Sequence, residues 1–280
     1  GVTGVGPAEL AGLDEARAFW HATGTVPEAW MDTGPALPRT VSSSLRGAHD
    51  FFFVPLDGRI DITLALQDMN RARAHSTAAF RLTRGQELLW TDAVSFGGRD
   101  DQKPSVVTEK PFHFQGLAPG VYRLSVLADD SIFVRAWTTT AKHWVIGPRV
   151  YFADEVGYSA SSTPPVAVWT NSYHLEVKTL HKEGLQTLAF GTAQTALTST
   201  HATVALTRAP AERRGPVLFH APKGNVWTVG DGFVSWEKGA LFFPVPRRLT
   251  DETSLVGEGI QAVATTYESP EPLEDGWYAA

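Results

Sequence analysis

"LAPGVYRLSVLADDSIFVRAW", residues 117 to 137, holds two runs of alternating side chains with an acidic pair between them. Tyr122, Leu124 and Val126 recur at every second residue. Ile132, Val134 and Ala136 do the same, set opposite Phe133, Arg135 and Trp137. Successive side chains of an extended chain point to opposite faces, so a period of two marks a half-buried strand. Pro119-Gly120 precedes the first run, and Asp129, Asp130 and Ser131 separate the two. Asp and Ser bond nearby backbone amides in turns, and Pro and Gly supply turn dihedrals. The stretch therefore predicts turn, strand, turn, strand.

The same period extends in both directions. In "GRIDITLALQDMN", residues 58 to 70, Ile60, Ile62, Leu64 and Leu66 share one face, with Asp61 and Thr63 on the other. "STAAFRLTRGQELLW" (76 to 90) reads as two strands about Arg84-Gly85, and "FHFQGL" (112 to 117) as another strand. Past residue 164, "YHLEVKTL", "LQTLAFG", "HATVALT", "PVLFHAP", "NVWTVGDGFVSW" and "ALFFPVP" form a second strand-rich half. Its Asp231-Gly232 step predicts a hairpin. Short strands separated by turn residues point to a sandwich or barrel. Alternating helix and strand units are absent, which argues against a parallel α/β sheet.

One stretch reads differently. In "GPAELAGLDEARAFWHATG", residues 6 to 24, Leu10, Leu13, Ala16 and Trp20 recur at helical spacing, with Pro7 at the start and Gly24 past the end. The expected architecture is mainly β. Two antiparallel, jelly-roll-like β-sandwich domains follow a short N-terminal helix. The expected division is 1–40 for the helix and an extended segment, 41–147 for the first sandwich, and 148–280 for the second with an irregular acidic tail. The break at 147/148 rests on Gly147-Pro148.

Composition bounds the function. A chain of 280 residues with 43% hydrophobic content is long enough to bury a core without staples. Its formal net charge of −6 lacks the basic field of a nucleic-acid surface. There are no cysteines, which excludes disulfides, thiolate metal sites and cysteine nucleophiles. No apolar run is long enough to span a membrane. The chain begins at Gly1 rather than Met. The expectation is that a segment was removed, either an export signal, a membrane anchor or an added tag.

Several blocks together carry a resemblance. "VSSSLRGAHDFFF", "DITLALQDMNR", "LAPGVYRLSVLADDSIFVRAWTT", "RVYFADEV" and "VWTNSYHLEVKTLHKEGLQTLAFG" occur in that order. From about residue 41 to 240 the series resembles a group of exported or membrane-anchored β-sandwich proteins of ultrasmall, host-dependent bacteria. Members of that group carry no assigned activity. The resemblance implies location and architecture, not chemistry. The layout of the first half is also similar to jelly-roll modules appended to secreted peptidases and glycosidases, which bind sugars or peptides.

No catalytic motif stands out. "GYSAS" at 157 to 161 has Ser161 where a nucleophile elbow needs Gly, and lies in a Ser/Pro loop. "GEGIQA" at 257 to 262 lacks the βαβ unit of a dinucleotide site. The nine histidines show no H-E-x-x-H, and His174 and His181 share no evident face. Paired carboxylates for glycoside hydrolysis need not be close in sequence, so that chemistry stays open. Asp129 and Asp130 are expected as a turn. The alternative is a calcium site, which needs six to eight oxygens from several segments. No other cofactor is expected.

Tryptophan remains. Trp90, Trp137, Trp144, Trp169, Trp227 and Trp236 fall on or beside strands. A buried indole fills a core, and an exposed one anchors a partner or stacks on a sugar. Packing is the favoured role, and Trp90, Arg135, Trp137 and Trp169 are the candidate ligand-binding set. The leading functional expectation is a non-enzymatic, exported cell-surface protein acting in adhesion or as an envelope component. Its partner would be a surface glycan or protein, not nucleic acid, with membrane contact only through a removed N-terminal anchor. A carbohydrate-binding module is the first alternative, and a glycan- or cell-wall-degrading hydrolase the second.

Overall fold

The computed structural model describes residues 31–69, 75–97, 103–153, 164–209, 212 and 215–244, with the backbone of two short strands at 19–20 and 247–248. In chain order the strands are β1 (Phe19–Trp20), β2 (Arg39–Val41), β3 (Leu45–Arg46), β4 (His49–Phe53), β5 (Ile60–Asp68), β6 (Ser76–Arg84) and β7 (Glu87–Phe96). Then come β8 (Thr108–Phe114), β9 (Tyr122–Leu127), β10 (Ile132–Thr139), β11 (Trp144–Ile146), β12 (Arg149–Phe152), β13 (Val166–Thr170) and β14 (His174–Lys178). The last are β15 (Gln186–Phe190), β16 (Ala193–Leu197), β17 (Thr203–Thr207), β18 (Val217–Ala221), β19 (Val226–Gly230), β20 (Val234–Ser235) and β21 (Arg247–Arg248).

Apart from β1 and β21, which pair with each other, these strands form two large antiparallel sheets packed face to face, so the chain is a mainly β sandwich. The front sheet runs β8, β5, β10, β3, β12, β19, β14, β17, with β2 also on β10. The back sheet runs β7, β6, β9, β4, β11, β20, β13, β18, β15, β16. The order repeats. Adding nine to each label turns β8, β5, β10, β3 into β17, β14, β19, β12, and β7, β6, β9, β4, β11 into β16, β15, β18, β13, β20. Each copy is the double Greek key of a jelly roll, four strands facing four, with one extra back-sheet strand. The first path ends at β11 and the second begins at β12, with the cis peptide Gly147–Pro148 between them. The two rolls join through β3–β12 in front and β11–β20 behind.

Alternation accounts for the core. Ile60, Ile62, Leu64 and Leu66 of β5 are buried, and so are Tyr122, Leu124 and Val126 of β9. They share one apolar cluster with Val150, Phe152, Val177, Phe190 and Phe219 from the second roll. Where the rolls meet, Trp236 packs on Trp137, Trp144 and Phe152, at ring distances of 4.8, 6.2 and 5.8 Å. A second cluster lies on the outer face of the back sheet. Leu241 and Phe242 cover Phe52, Val54, Val145 and Phe233 there. Asn171 anchors this strap: its Nδ2 donates to Phe242 O at 3.0 Å and its Oδ1 accepts from Phe233 N at 2.7 Å.

The alternation assigned to residues 132–137 breaks at a β-bulge, because the register of β10 on β5 shifts between Val134 and Ala136. The extra residue turns Trp137 to the same side as Ile132 and Val134, and all three lie in the core. Asp231-Gly232 does not close a hairpin. β19 pairs with β12 and β14 in front, whereas β20 pairs with β11 and β13 behind, so this turn crosses between sheets. The N-terminal helix lies outside the described residues, except that Phe19–Trp20 is a strand paired with Arg247–Arg248. Among the described residues no helix is long and apolar enough to cross a membrane.

The crossing turn explains Gly232. A Cβ there would lie 2.5 Å from Asn171 Oδ1 and 2.6 Å from Ser172 N. Gly232→Ala is expected to cost about 1–3 kcal/mol through overpacking and loss of the Asn171 bond. An unchanged urea midpoint would count against this close approach.

Candidate functional site

The acidic pair is a turn between sheets. Asp129 Oδ1 accepts from Ser131 N at 2.7 Å, and Asp129 O accepts from Ile132 N at 3.2 Å. Asp130 O accepts from Arg46 Nε at 3.0 Å, and its carboxylate pairs with Arg46 Nη2 at 3.4 Å. Among the described residues no three His, Asp or Glu side chains gather as metal ligands do.

The ligand-binding set is dispersed. Trp137 is 1% exposed and packs edge-on against Phe51 and Trp144 in the core. Arg135, the bulge residue, lies on the outer face of the front sheet. Its Nε donates to Gln67 Oε1 at 2.7 Å, its Nη1 to Ser44 Oγ at 3.1 Å, and its guanidinium covers Phe133 at 4.8 Å. Trp90 is half-buried at the open end of the first roll, against Phe112 and Phe114. There Lys110 Nζ bonds Asp92 at 2.5 Å and holds that carboxyl below the usual carboxylate range. Trp169 is half-buried on the back sheet's outer face, with Lys238 Nζ 5.0 Å from its ring centre. No two of the four share a site.

What the sheets do bring together is a transverse row on the front sheet's outer face. Lys178 on β14 is opposite Trp227 on β19, which is opposite Tyr151 on β12. The pairing of Phe152 with Leu45 sets Tyr151 beside Arg46 on β3, and Arg46 is opposite Phe133 on β10. Their strand neighbours Val177, Val226, Phe152 and Leu45 point into the core, so the row points outward. Tyr151 and Trp227 stack at 6.2 Å with 17° between planes. Lys178 Nζ sits 3.7 Å from the Trp227 ring centre, and the Arg149 guanidinium 5.8 Å from it. Arg46 lies 5.1 Å over the Tyr151 ring, and its Nη1 donates to Tyr151 Oη at 3.1 Å. Each cation–aromatic contact contributes roughly 0.5–1 kcal/mol at an exposed site. The row therefore stitches one roll to the other and also fixes its cations in place.

The sequence reading missed Arg46, Tyr151, Arg149 and Lys178. Their signal was present: each is the outward member of an alternating pair in "LR", "RVYF" and "HLEVK". Nothing local says that these strands are neighbours.

Two histidines are also held by the fold. His49 on β4 is buried; its Nδ1 donates to Gly47 O at 3.1 Å, and its Nε2 accepts from Tyr151 N at 3.1 Å. Burial pushes this imidazole down to about 4 from 6.5, against the opposing effect of the Gly47 bond. His143 Nδ1 lies 2.6 Å from Asp32 Oδ1, and Asp32 Oδ2 accepts from His143 N at 3.0 Å. A carboxylate orienting an imidazole is one part of a hydrolytic centre, which also needs a nucleophile within hydrogen-bond reach. Among the described residues the His143 imidazole hydrogen-bonds only Asp32, so the pair pins residue 32 to the turn before β11.

One depression of about 90 Å³, lined by Phe52, Gly85, Val121, Arg123 and Pro244, lies beside the strap. It is smaller than the roughly 300–1,000 Å³ of small-molecule sites. No protein-family model matches the chain, and no curated protein matches it.

Proposed function

We propose that the chain is a non-catalytic, exported protein that works at a cell surface, as an adhesion or envelope component. The observation that supports this most is the row Lys178, Trp227, Tyr151, Arg46. It spans both rolls on a sheet face and rests on rings rather than on a cleft. Two rolls joined through both sheets make a broad surface suited to contact with something extended. Protease shaving of intact cells that make the protein is expected to remove it while sparing a cytoplasmic marker. Recovery only after lysis overturns the proposal.

A carbohydrate-binding reading is the second. It is favoured by Arg149 and Lys178, held beside the half-buried Trp227 on an outer face with N–H donors that suit the hydroxyls and carboxylates of a sugar.

A further inference from the structure

We infer that Arg149 and Lys178 form a docking site for the anionic groups of an acidic glycan, a polymer bearing carboxylates or sulfates. This rests on the carbohydrate-binding reading and names its ligand class. The two cations lean on one indole from the strands that flank it, Lys178 from β14 and Arg149 from β12. Among the described residues neither side chain makes an ion pair or a hydrogen bond. Arg39, Arg46 and Lys110 are by contrast ion-paired, with Glu237, Asp130 and Asp92. A cation–aromatic contact uses the charge and leaves N–H donors unspent. Two like charges held beside one ring repel each other, and an anion between them relieves that repulsion.

The setting favours a glycan over a peptide. β12 is hydrogen-bonded to β3 and β19, and β19 to β12 and β14, so neither strand has a free edge for an added strand. Contact at this site is through side chains alone. Trp227 is backed by Tyr151 on one side and covered by Lys178, so its work is to hold the cations rather than to stack on a sugar. The half-exposed Val229 lies opposite Arg149 and gives the site an apolar edge. Exposed Glu176, also opposite Val229, repels an anion from that flank. A polymer gains through repetition of its charges what a single anion lacks.

The test is calorimetry of the full chain against polygalacturonate, dextran sulfate, neutral dextran and poly-glutamate. A neutral-sugar array is run beside it. Binding to one or both acidic glycans, weakened by salt and absent for neutral dextran, is expected. Binding by polygalacturonate alone identifies the carboxylate as the ligand group, and binding by dextran sulfate alone identifies the sulfate. Arg149→Gln and Lys178→Gln are each expected to weaken it about tenfold, the loss of one charge-assisted contact. Lys182→Gln, outside the site, should leave it unchanged. Poly-glutamate binding as tightly as either glycan, or affinity untouched by both variants, overturns the inference. Neutral sugars bound without acidic ones overturn it too, yet leave the carbohydrate-binding reading standing. Silence across every sugar sinks both.

Discussion

Trp137→Ala is expected to lower the unfolding free energy by about 3–5 kcal/mol, the cost of removing a large aromatic from a packed core. The indole is 1% exposed and touches three other aromatic residues: Phe51 at 5.6 Å, Trp144 at 6.0 Å and Trp236 at 4.8 Å. Trp236 comes from the second roll and Phe51 from the first, so the cavity would open where the rolls join. Among the described residues the buried Trp137 Nε1 has no hydrogen-bond partner. Trp137→Phe keeps most of the ring and removes that unpaired donor, and should cost less than half as much. Urea unfolding gives both numbers. A Trp137→Ala protein as stable as the parent, with only ligand binding impaired, would show that the indole serves a partner and not the core.

The second large effect depends on pH. In the folded chain the His49 imidazole titrates at about 4, against 6.5 for an unperturbed group. Burial is the cause: a charged ring would sit among β4, β12 and the Gly47 carbonyl with no anion to meet it. Protonation would also turn Nε2 into a donor facing the Tyr151 N–H, which donates to it. Between pH 6.5 and 4 the unfolded chain therefore binds more protons than the folded one. Stability present in full above pH 6.5 is expected to fall by about 3 kcal/mol across that window, and this contribution is exhausted below pH 4. His49→Gln, which is neutral throughout, should show a shallower acid slope. An NMR titration of the parent provides a second readout, with an imidazole that stays neutral until the pH nears 4. If that ring charges near 6.5 without loss of structure, the buried bridge between sheets is misassigned.

These two residues mark where sequence reading succeeds and where it stops. β5 and β9 were legible because each keeps an uninterrupted period of two, which is a local property. The β6–β7 hairpin was legible from Arg84-Gly85, since Gly85 takes a positive φ of 56° that favours glycine. The turn at Asp129-Asp130 was legible from its side-chain chemistry. The bulge at Arg135 was not, because an extra residue is visible only against a partner strand. Asp231-Gly232 misled for a similar reason: turn residues announce a reversal, not which sheet the chain enters next.

The candidate site was less legible than the fold. Arg46, Tyr151, Arg149, Lys178 and Trp227 come from four strands spread over 182 residues of chain length. Each could be assigned to an outward face, but their meeting depends on the order β14, β19, β12, β3. Trp90, Arg135, Trp137 and Trp169 stand out by type and by alternation, and the strand order scatters them to the core, an open end and two outer faces.

By itself the amino-acid sequence determined that this chain makes strands, where most of them turn, and which side of each is apolar. Those properties follow from the alternation of an extended backbone and from turn chemistry over a few residues. Only the tertiary structure decided that the strand order occurs twice, that Trp137 faces inward, and that two cations share one indole. Pairing joins residues far apart in the chain, and the hydrogen bonds that select a neighbour are the same for every sequence.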